Sequence, residues 1–352
     1  MKNFLQIHLL TAYGPANLNR DDLGRPKTAM FGDTERLRIS SQSLKRAWRE
    51  AFKLEFEGQH GVRTKRLALE YFLKPLRAAG VSEKDAIKWS VLVAAQFGKP
   101  KKQDKQKPDQ EAELETLVFV GPDEIRAIED LAKTCATEKR EPNADDLKLL
   151  RANPAAVDIG MFGRMLADKP EFNVEAAVQV SHAITVHPAE PEDDYFTAVD
   201  DLSREDETGS SHLGESGFGA GVFYIYICVS RKLLLDNLNG DAALASRAID
   251  ALVRTACTVA PTGKQNSFAS RSRAFYAQAE LGDGQPRQLS FAFLRDLSPN
   301  KEGLAASAIA TMKKTQDGLD AVYGKTETRE EFNSLEAKGT LDALSKFSVN
   351  DL

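Results

Sequence analysis

Residues 17–52, "NLNRDDLGRPKTAMFGDTERLRISSQSLKRAWREAF", run from a turn-rich loop through a short extended segment onto a helix with a sharp seam between apolar and basic sides. Asn, Asp, Gly and Pro stand at turn density through residue 26, so the stretch begins as a loop. "RLRIS" reads as a short strand or extended lead-in, and Ser40 or Ser41 caps the helix that follows. At about 100° per residue, Lys45, Arg49, Gln42, Lys53 and Arg46 share one arc of roughly 100°. Leu44, Ala47, Trp48, Ala51 and Phe52 lie on the other side, which is expected to pack on a sheet. From Arg20 to Lys53 there are nine Lys/Arg and five Asp/Glu, in a 352-residue chain whose formal net charge is −5. Positive charge is therefore concentrated here, against the sign of the whole.

A capped helix start presents unpaired N–H groups and the positive end of the helix dipole, a ready place for phosphate. Ser40, Ser41 and Ser43 add hydroxyls, Arg36 and Arg38 precede them, and Arg20, Arg25 and Lys27 approach on the loop. A solvated surface helix is the plain alternative, and a small carboxylate could also use such a place. Cations spread over more than thirty residues suit a polymer of phosphates better.

Outward from this segment, residues 4–10 alternate as a strand with Leu5, Ile7 and Leu9 on one face. Residues 58–153 change to helical texture at 63–80, 82–98, 121–136 and 143–153. The run "KPKKQDKQKP" between them is most simply a solvated loop. β signals return in "AAVQVSHAITVH" and "GVFYIYICVS". The connection between these strands is acidic, Gly/Ser-rich and more than thirty residues long, a length usually either functional or disordered. An amphipathic helix is expected at 241–260 and a strand at 287–294, followed by a mostly polar tail from 300. The order is α+β and compatible with a ferredoxin-like or RRM-like sheet.

At 42% hydrophobic residues the chain can build a sizeable core. The early apolar stretch "FLQIHLL" is too short to span a membrane and lacks the flanks of a signal peptide, so a cytoplasmic location is expected. Cys135, Cys228 and Cys257 form no pair and read as reduced, buried thiols. His182 and His187, five apart, suit no metal pair, so neither structural zinc nor any cofactor is expected. "GFGAG" at 217–221 precedes a strand instead of following one, the wrong order for a dinucleotide loop. "GESGF" lacks the second glycine of a nucleophile elbow.

The pattern "LNRDD.G.PK.A.FG...R.RISSQSLKRA" at 18–47 resembles the N-terminal signature of the CasC family, the crRNA-binding backbone subunit of the type I-E CRISPR Cascade complex, in the RAMP superfamily. "GRM" at 163–165, "SHAIT.H" at 181–187, "DYFTAVDDL" at 194–202, "SSHLGESGFGAGVFY" at 210–224 and "PTGKQNSFA" at 261–269 continue it in order. The resemblance implies a right hand. A modified RRM-like palm occupies 1–57, 154–189 and 222–352, a helical fingers insertion 58–153 and a β-hairpin thumb 190–221. It further implies a non-catalytic protein that polymerises with its own copies along a guide RNA and kinks it. The guide then pairs with target DNA, beside the large, small, guide-5′-end and guide-processing subunits, before a recruited helicase-nuclease acts.

The same resemblance places Arg20, Lys27, Arg38, Ser40, Gln42, Lys45, Arg46 and Arg49 on the guide backbone. Lys264 and Arg164 join them, Phe196 and Thr197 wedge bases from the thumb, and Met165 wedges from the palm. Each also has a plainer reading: Phe196 and Met165 as core, Thr197 as a strand residue, Lys264 as a solvated turn and Arg164 as an ion-pair partner. Two other functions compete. Asp21, Asp22 and Asp33 could hold a metal in a ribonuclease of a related effector backbone. A stand-alone single-stranded RNA binder would give a monomer–RNA complex and no length-matched oligomer.

Overall fold

The computed structural model describes residues 1–102, 110, 112–198, 212–295, 297, 303–325 and 328–352. Two compact units divide the chain. The first comprises Met1–Phe52, Gln179–Arg231 and Ile249–Leu352, and the second Lys53–Val178 and Lys232–Ala248. Residues 154–178, expected in the palm, thus cluster with the helical segment, as do 232–248.

In chain order, the first unit opens with β1 (Phe4–Ala16), the hairpin β2 (Thr28–Phe31) and β3 (Thr34–Ile39), and helix α1 (Ser41–Phe52). The second unit holds β4 (Val62–Thr64), a π-helical turn running into α2 (Lys74–Ala78), α3 (Glu83–Phe97), β5 (Val118–Val120), α4 (Pro122–Glu138) and α5 (Val157–Phe162). Short strands β6 (Val178–Val180) and β7 (Ala183–Thr185) lead to the long pair β8 (Glu192–Ala198) and β9 (His212–Ser230). Then come α6 (Arg231–Asn237), α7 (Ala242–Thr258), α8 (Gln265–Phe268), β10 (Ala274–Gly282), α9 (Leu304–Tyr323), β11 (Thr328–Asn333) and α10 (Leu341–Ser348).

The fold is mixed α+β around an antiparallel sheet ordered β11-β10-β1-β9-β7-β3-β2. Residues 5–11 of β1 are all buried, so the central strand is covered on both faces. Leu5, Ile7 and Leu9 share one face, as their alternation requires. On the other, Leu10, Val222, Tyr224 and Tyr276 meet Leu289, Phe293, Ala308, Ile309 and Met312, so α9 and the 290–293 turn close over that face.

Two local expectations fail for identifiable reasons, and one strand is not marked in the sequence. Residues 290–293 form a 3₁₀ turn and no strand; the turn serves as a lid, its Phe293 carbonyl accepting from Arg36 Nη2 at 3.2 Å. Residues 143–153 make one capped turn and no longer helix: Asn143 and Asp146 cap each other's amides, Leu147 N donates to the Asn143 carbonyl at 3.2 Å, and farther on Arg151 N donates to Glu124 Oε1 at 2.9 Å instead of continuing a helix. Strand β10 went unread because alternating alanines weaken its apolar signal, yet it pairs with β1 from Phe4↔Gly282 onward.

His8 and Gln6 point into the covered face. His8 bonds Tyr224 Oη through Nδ1 at 2.9 Å and Glu280 Oε1 through Nε2 at 3.0 Å. Glu280 Oε2 faces Arg329 at 3.1 Å and Arg287 at 3.4 Å. Burial raises the Glu280 pKa, but His8 and the two guanidiniums outweigh it and hold the value at about 2. A depressed carboxyl stabilises the folded state above its unfolded pKa, and that contribution is lost as pH falls through the folded value. Thermal midpoints should therefore fall between about pH 4.5 and pH 2, and Glu280→Gln should flatten that limb. An unaltered acid limb in the variant would remove Glu280 as its origin.

Candidate nucleic-acid interface

Every contact in this part of the site lies within the first unit. The 17–27 loop is tied down by its own polar residues. Asn17 Nδ2 donates to the carbonyls of Gly24 at 3.0 Å and Gly217 at 2.8 Å. Asp21 Oδ1 accepts from Leu23 N and Arg25 N at 3.0 and 2.9 Å. Asn19 spans the loop and the helix start: its Oδ1 accepts from Ser40 N at 2.8 Å and its carbonyl from Lys27 N at 2.9 Å. Ser40 Oγ accepts from Ser43 N at 3.3 Å, making Ser40 the cap of α1.

Helix α1 is rotated relative to the sequence reading. Leu44, Trp48, Phe52 and Arg49 are buried, Lys45 is half-buried, and Gln42, Arg46 and Glu50 face outward. Arg49 stands on the inner edge of the basic arc, 6% exposed, and so does not belong to the open cation row. Ala51, expected inside, is exposed.

Two groups of cations flank the loop. On one side Arg20, Arg46 and Lys264 line a groove of about 930 Å³, with Asp21, Asp22 and Glu50 also on its walls. Arg20 and Lys264 also line an adjoining recess of about 320 Å³ that reaches Asp193 and Glu215 at the hairpin base. There Arg25 pairs with Asp193 at 2.6 Å. On the other side, Arg38 donates through Nε to the Thr28 carbonyl at 3.2 Å and through Nη1 to His182 Nδ1 at 2.8 Å. Desolvation, then the charges of Arg38, Lys27 and Lys45, push the His182 pKa below its usual value, and Lys27 and Arg38 line one small recess with Asn19.

Lys264 adopts a left-handed conformation, φ 45°, at the start of α8. Gly263 lets it approach the loop, since a Cβ there would come within 2.4 Å of the Leu18 carbonyl oxygen and 2.6 Å of that of Asn17. Gly263→Ala should therefore push Lys264 away from Arg20 and Arg46 and weaken polyanion binding by about tenfold, with a stability loss of about 1–3 kcal/mol. Equal binding by the two proteins would separate Lys264 from the groove.

The hairpin strands β8 and β9 pair in register from Glu192↔Phe218 to Ala198↔His212. Phe196 sits opposite Gly214 and is 47% exposed, so it is a surface residue and not core. Its ring lies over Gly214, where a Cβ would meet the Phe196 Cζ at 2.2 Å. Thr197 pairs with Leu213 by backbone. The 199–211 stretch of the expected thumb, and most of the Lys99–Lys107 loop, lie outside the described residues.

Arg164 and Met165 belong to the second unit. The Arg164 side chain is fully buried, with Nη1 on Glu124 at 2.8 and 2.9 Å and Nη2 on the Phe172 and Arg151 carbonyls. Its guanidinium is thus committed within the unit, which corrects the expectation of a backbone-gripping role for this side chain. Met165, next in the chain, is 82% exposed, which excludes its reading as a core residue. It shares a recess of about 190 Å³ with Leu117, Phe119 and Arg63, and the Arg63 guanidinium lies 4.4 Å from the Phe119 ring centroid.

Asn17, Asn19 and His182 were not singled out as site residues from the sequence. His182 stands in the quoted "SHAIT.H" block, but only the structure sets it beside Arg38. Asp33 lies in the β2–β3 turn at φ 61°, after Gly32 at φ 63°, a two-residue hairpin geometry that explains an Asp there. Among the described residues no group of three or more metal-ligating side chains stands together, and no helix is long and apolar enough to cross a membrane.

An antiparallel α+β fold with cations gathered around one loop and helix start defines a class suited to polyanions. The chain belongs to the CT1975-like protein family, whose model matches residues 5–351. It is similar to a chain of a solved "CRISPR RNA-guided surveillance complex, pre-nicking", at 31% identity and TM-score 0.80, covering 97% of this chain and 95% of that one. A chain of another CRISPR RNA-guided surveillance complex is 26% identical with TM-score 0.63, covering 97% and 92% respectively. No curated protein sequence matches.

Proposed function

We propose that this protein is a backbone subunit of a CRISPR RNA-guided surveillance complex, of the type I-E CasC kind, that holds crRNA by its sugar-phosphate chain without catalysing a reaction. One observation carries the reading: Arg20, Arg46 and Lys264 line the groove on one side of the loop, while Lys27 and Arg38 line a recess on the other and Arg38 reaches His182. Contacts to phosphates hold any sequence, as a carrier of variable guides requires.

The strand order β10-β1-β9-β7, with α1 after β1 and α7 after β9, supports an RRM-like palm in the RAMP manner. An ordinary RRM stacks bases on its open sheet face. Here α9 covers that face, which directs RNA to the loop and helix start. Phe196, exposed on the hairpin beside Thr197, and exposed Met165 are suited to wedge bases, since stacking tolerates any sequence. Copies of the chain then line the guide, kink it at intervals and present it to target DNA beside the other complex subunits. A helicase-nuclease acts on that assembly, within the cytoplasm.

Two of the three aspartates have structural tasks: Asp21 binds loop amides and Asp33 sits in a tight turn, while Asp22 lines the groove. This weighs against the ribonuclease alternative. Co-expressing the chain with the other subunits and sequencing the bound RNA tests the proposal. Repeat-flanked RNA in a particle whose mass grows with guide length is expected. A one-to-one monomer–RNA complex, or periodic cuts in complementary RNA with Mg²⁺, would overturn it.

A further inference from the structure

Resting on that reading, we propose that His182 is itself an RNA-phosphate ligand, donating its Nε2–H from the neutral imidazole while its Nδ1 positions Arg38. A guanidinium only donates hydrogen bonds, so the 2.8 Å contact from Arg38 Nη1 requires a lone pair on His182 Nδ1. The neutral ring then carries its single proton on Nε2. His182 is exposed, bonds Arg38 on β3, and feels the charges of Lys27 before β2 and Lys45 on α1. Such surroundings repel a metal cation and a second proton alike, and they attract an oxyanion. Arg38, held by the Thr28 carbonyl and the imidazole, is oriented in two directions before any ligand arrives.

A bound phosphate offsets the three cations, so the His182 pKa rises on binding. Protonation gives up the Arg38 contact in free and bound protein alike, so proton uptake on binding makes affinity increase as pH falls through the interval between the free and bound values. Each unit of that rise corresponds to at most about tenfold in affinity between the two pH extremes.

The test uses the full chain and a single-stranded oligoribonucleotide of unselected sequence, titrated from about pH 8 to about pH 6 at fixed salt. Wild type is expected to bind about three- to tenfold tighter at the lower pH. His182→Gln keeps an N–H donor and cannot titrate, so it should bind about two- to threefold more weakly at pH 8 and lose its share of the pH slope. His182→Phe, with no donor and no titration, should bind about tenfold more weakly at pH 8, and its deficit should widen toward pH 6. Imidazole nitrogen NMR of labelled wild-type protein should show His182 as the Nε2–H tautomer, its pKa rising when RNA is added.

An identical pH slope in wild type and His182→Gln, unimpaired binding by His182→Phe, or an Nδ1–H tautomer would each overturn the assignment. Lys27→Ala and Lys45→Ala separate this from the parent reading. If they weaken binding and the histidine variants do not, only the role of His182 fails; if none of the four matters, the tract is not the RNA site.

Discussion

Replacing Lys27, Arg38 and Lys45 together by alanine is expected to weaken binding of single-stranded RNA by two to three orders of magnitude, about tenfold per lost contact. Three cations are needed for this size of effect because each is partly solvated and worth little in isolation. In the proposed role their value comes from acting together on one polyanion: Lys27 and Arg38 line one recess, and the charges of all three bear on His182. The log–log salt slope should shrink by about two, since each lost phosphate contact on a single strand removes about 0.7. Anisotropy titrations across a salt series, repeated on unrelated sequences, measure both quantities. A loss confined to certain sequences, or an unchanged slope, would mean that the cations do not hold the phosphate chain. Arg49→Ala should have a smaller effect on the slope, because that side chain is buried.

Removing Arg164 tests a different physical claim. Glu124 is fully buried and accepts from Gly121 N and Arg151 N as well as from Arg164. Without the guanidinium a charged carboxylate stays in the interior with only amide partners. Arg164→Ala should cost the second unit about 3–5 kcal/mol, lowering its thermal midpoint by about 10 °C. Met165→Ala, one residue away but exposed, should change stability by no more than about 0.5 kcal/mol. Calorimetry on both variants reads the contrast. Should Arg164→Ala melt like wild type yet lose RNA, the ion pair would be dispensable and the gripping role restored.

Much of the candidate site was legible because its signals are local. Turn residues in 17–26, a serine at the helix start and a basic arc on α1 follow from spacing alone, and Ser40 does cap the helix. Rotation of that helix was not legible. Arg49 and Arg46 differ by about 60° on a helical wheel, and only tertiary packing decides which of them is buried. Arg164 carried no local mark either. Its carboxylate partner lies forty residues earlier, and nothing in the intervening sequence announces the pair.

The sequence by itself determined that this chain has an α+β order, a long helical insertion and a segregated run of cations, because each is written in neighbouring residues. Tertiary structure alone decided that α9 closes one sheet face, that His182 meets Arg38, and that Lys264 comes to the groove of Arg20 and Arg46. Those facts depend on strand register and on approaches between segments tens to hundreds of residues apart. A one-residue change of register would turn the same side chains to the opposite face.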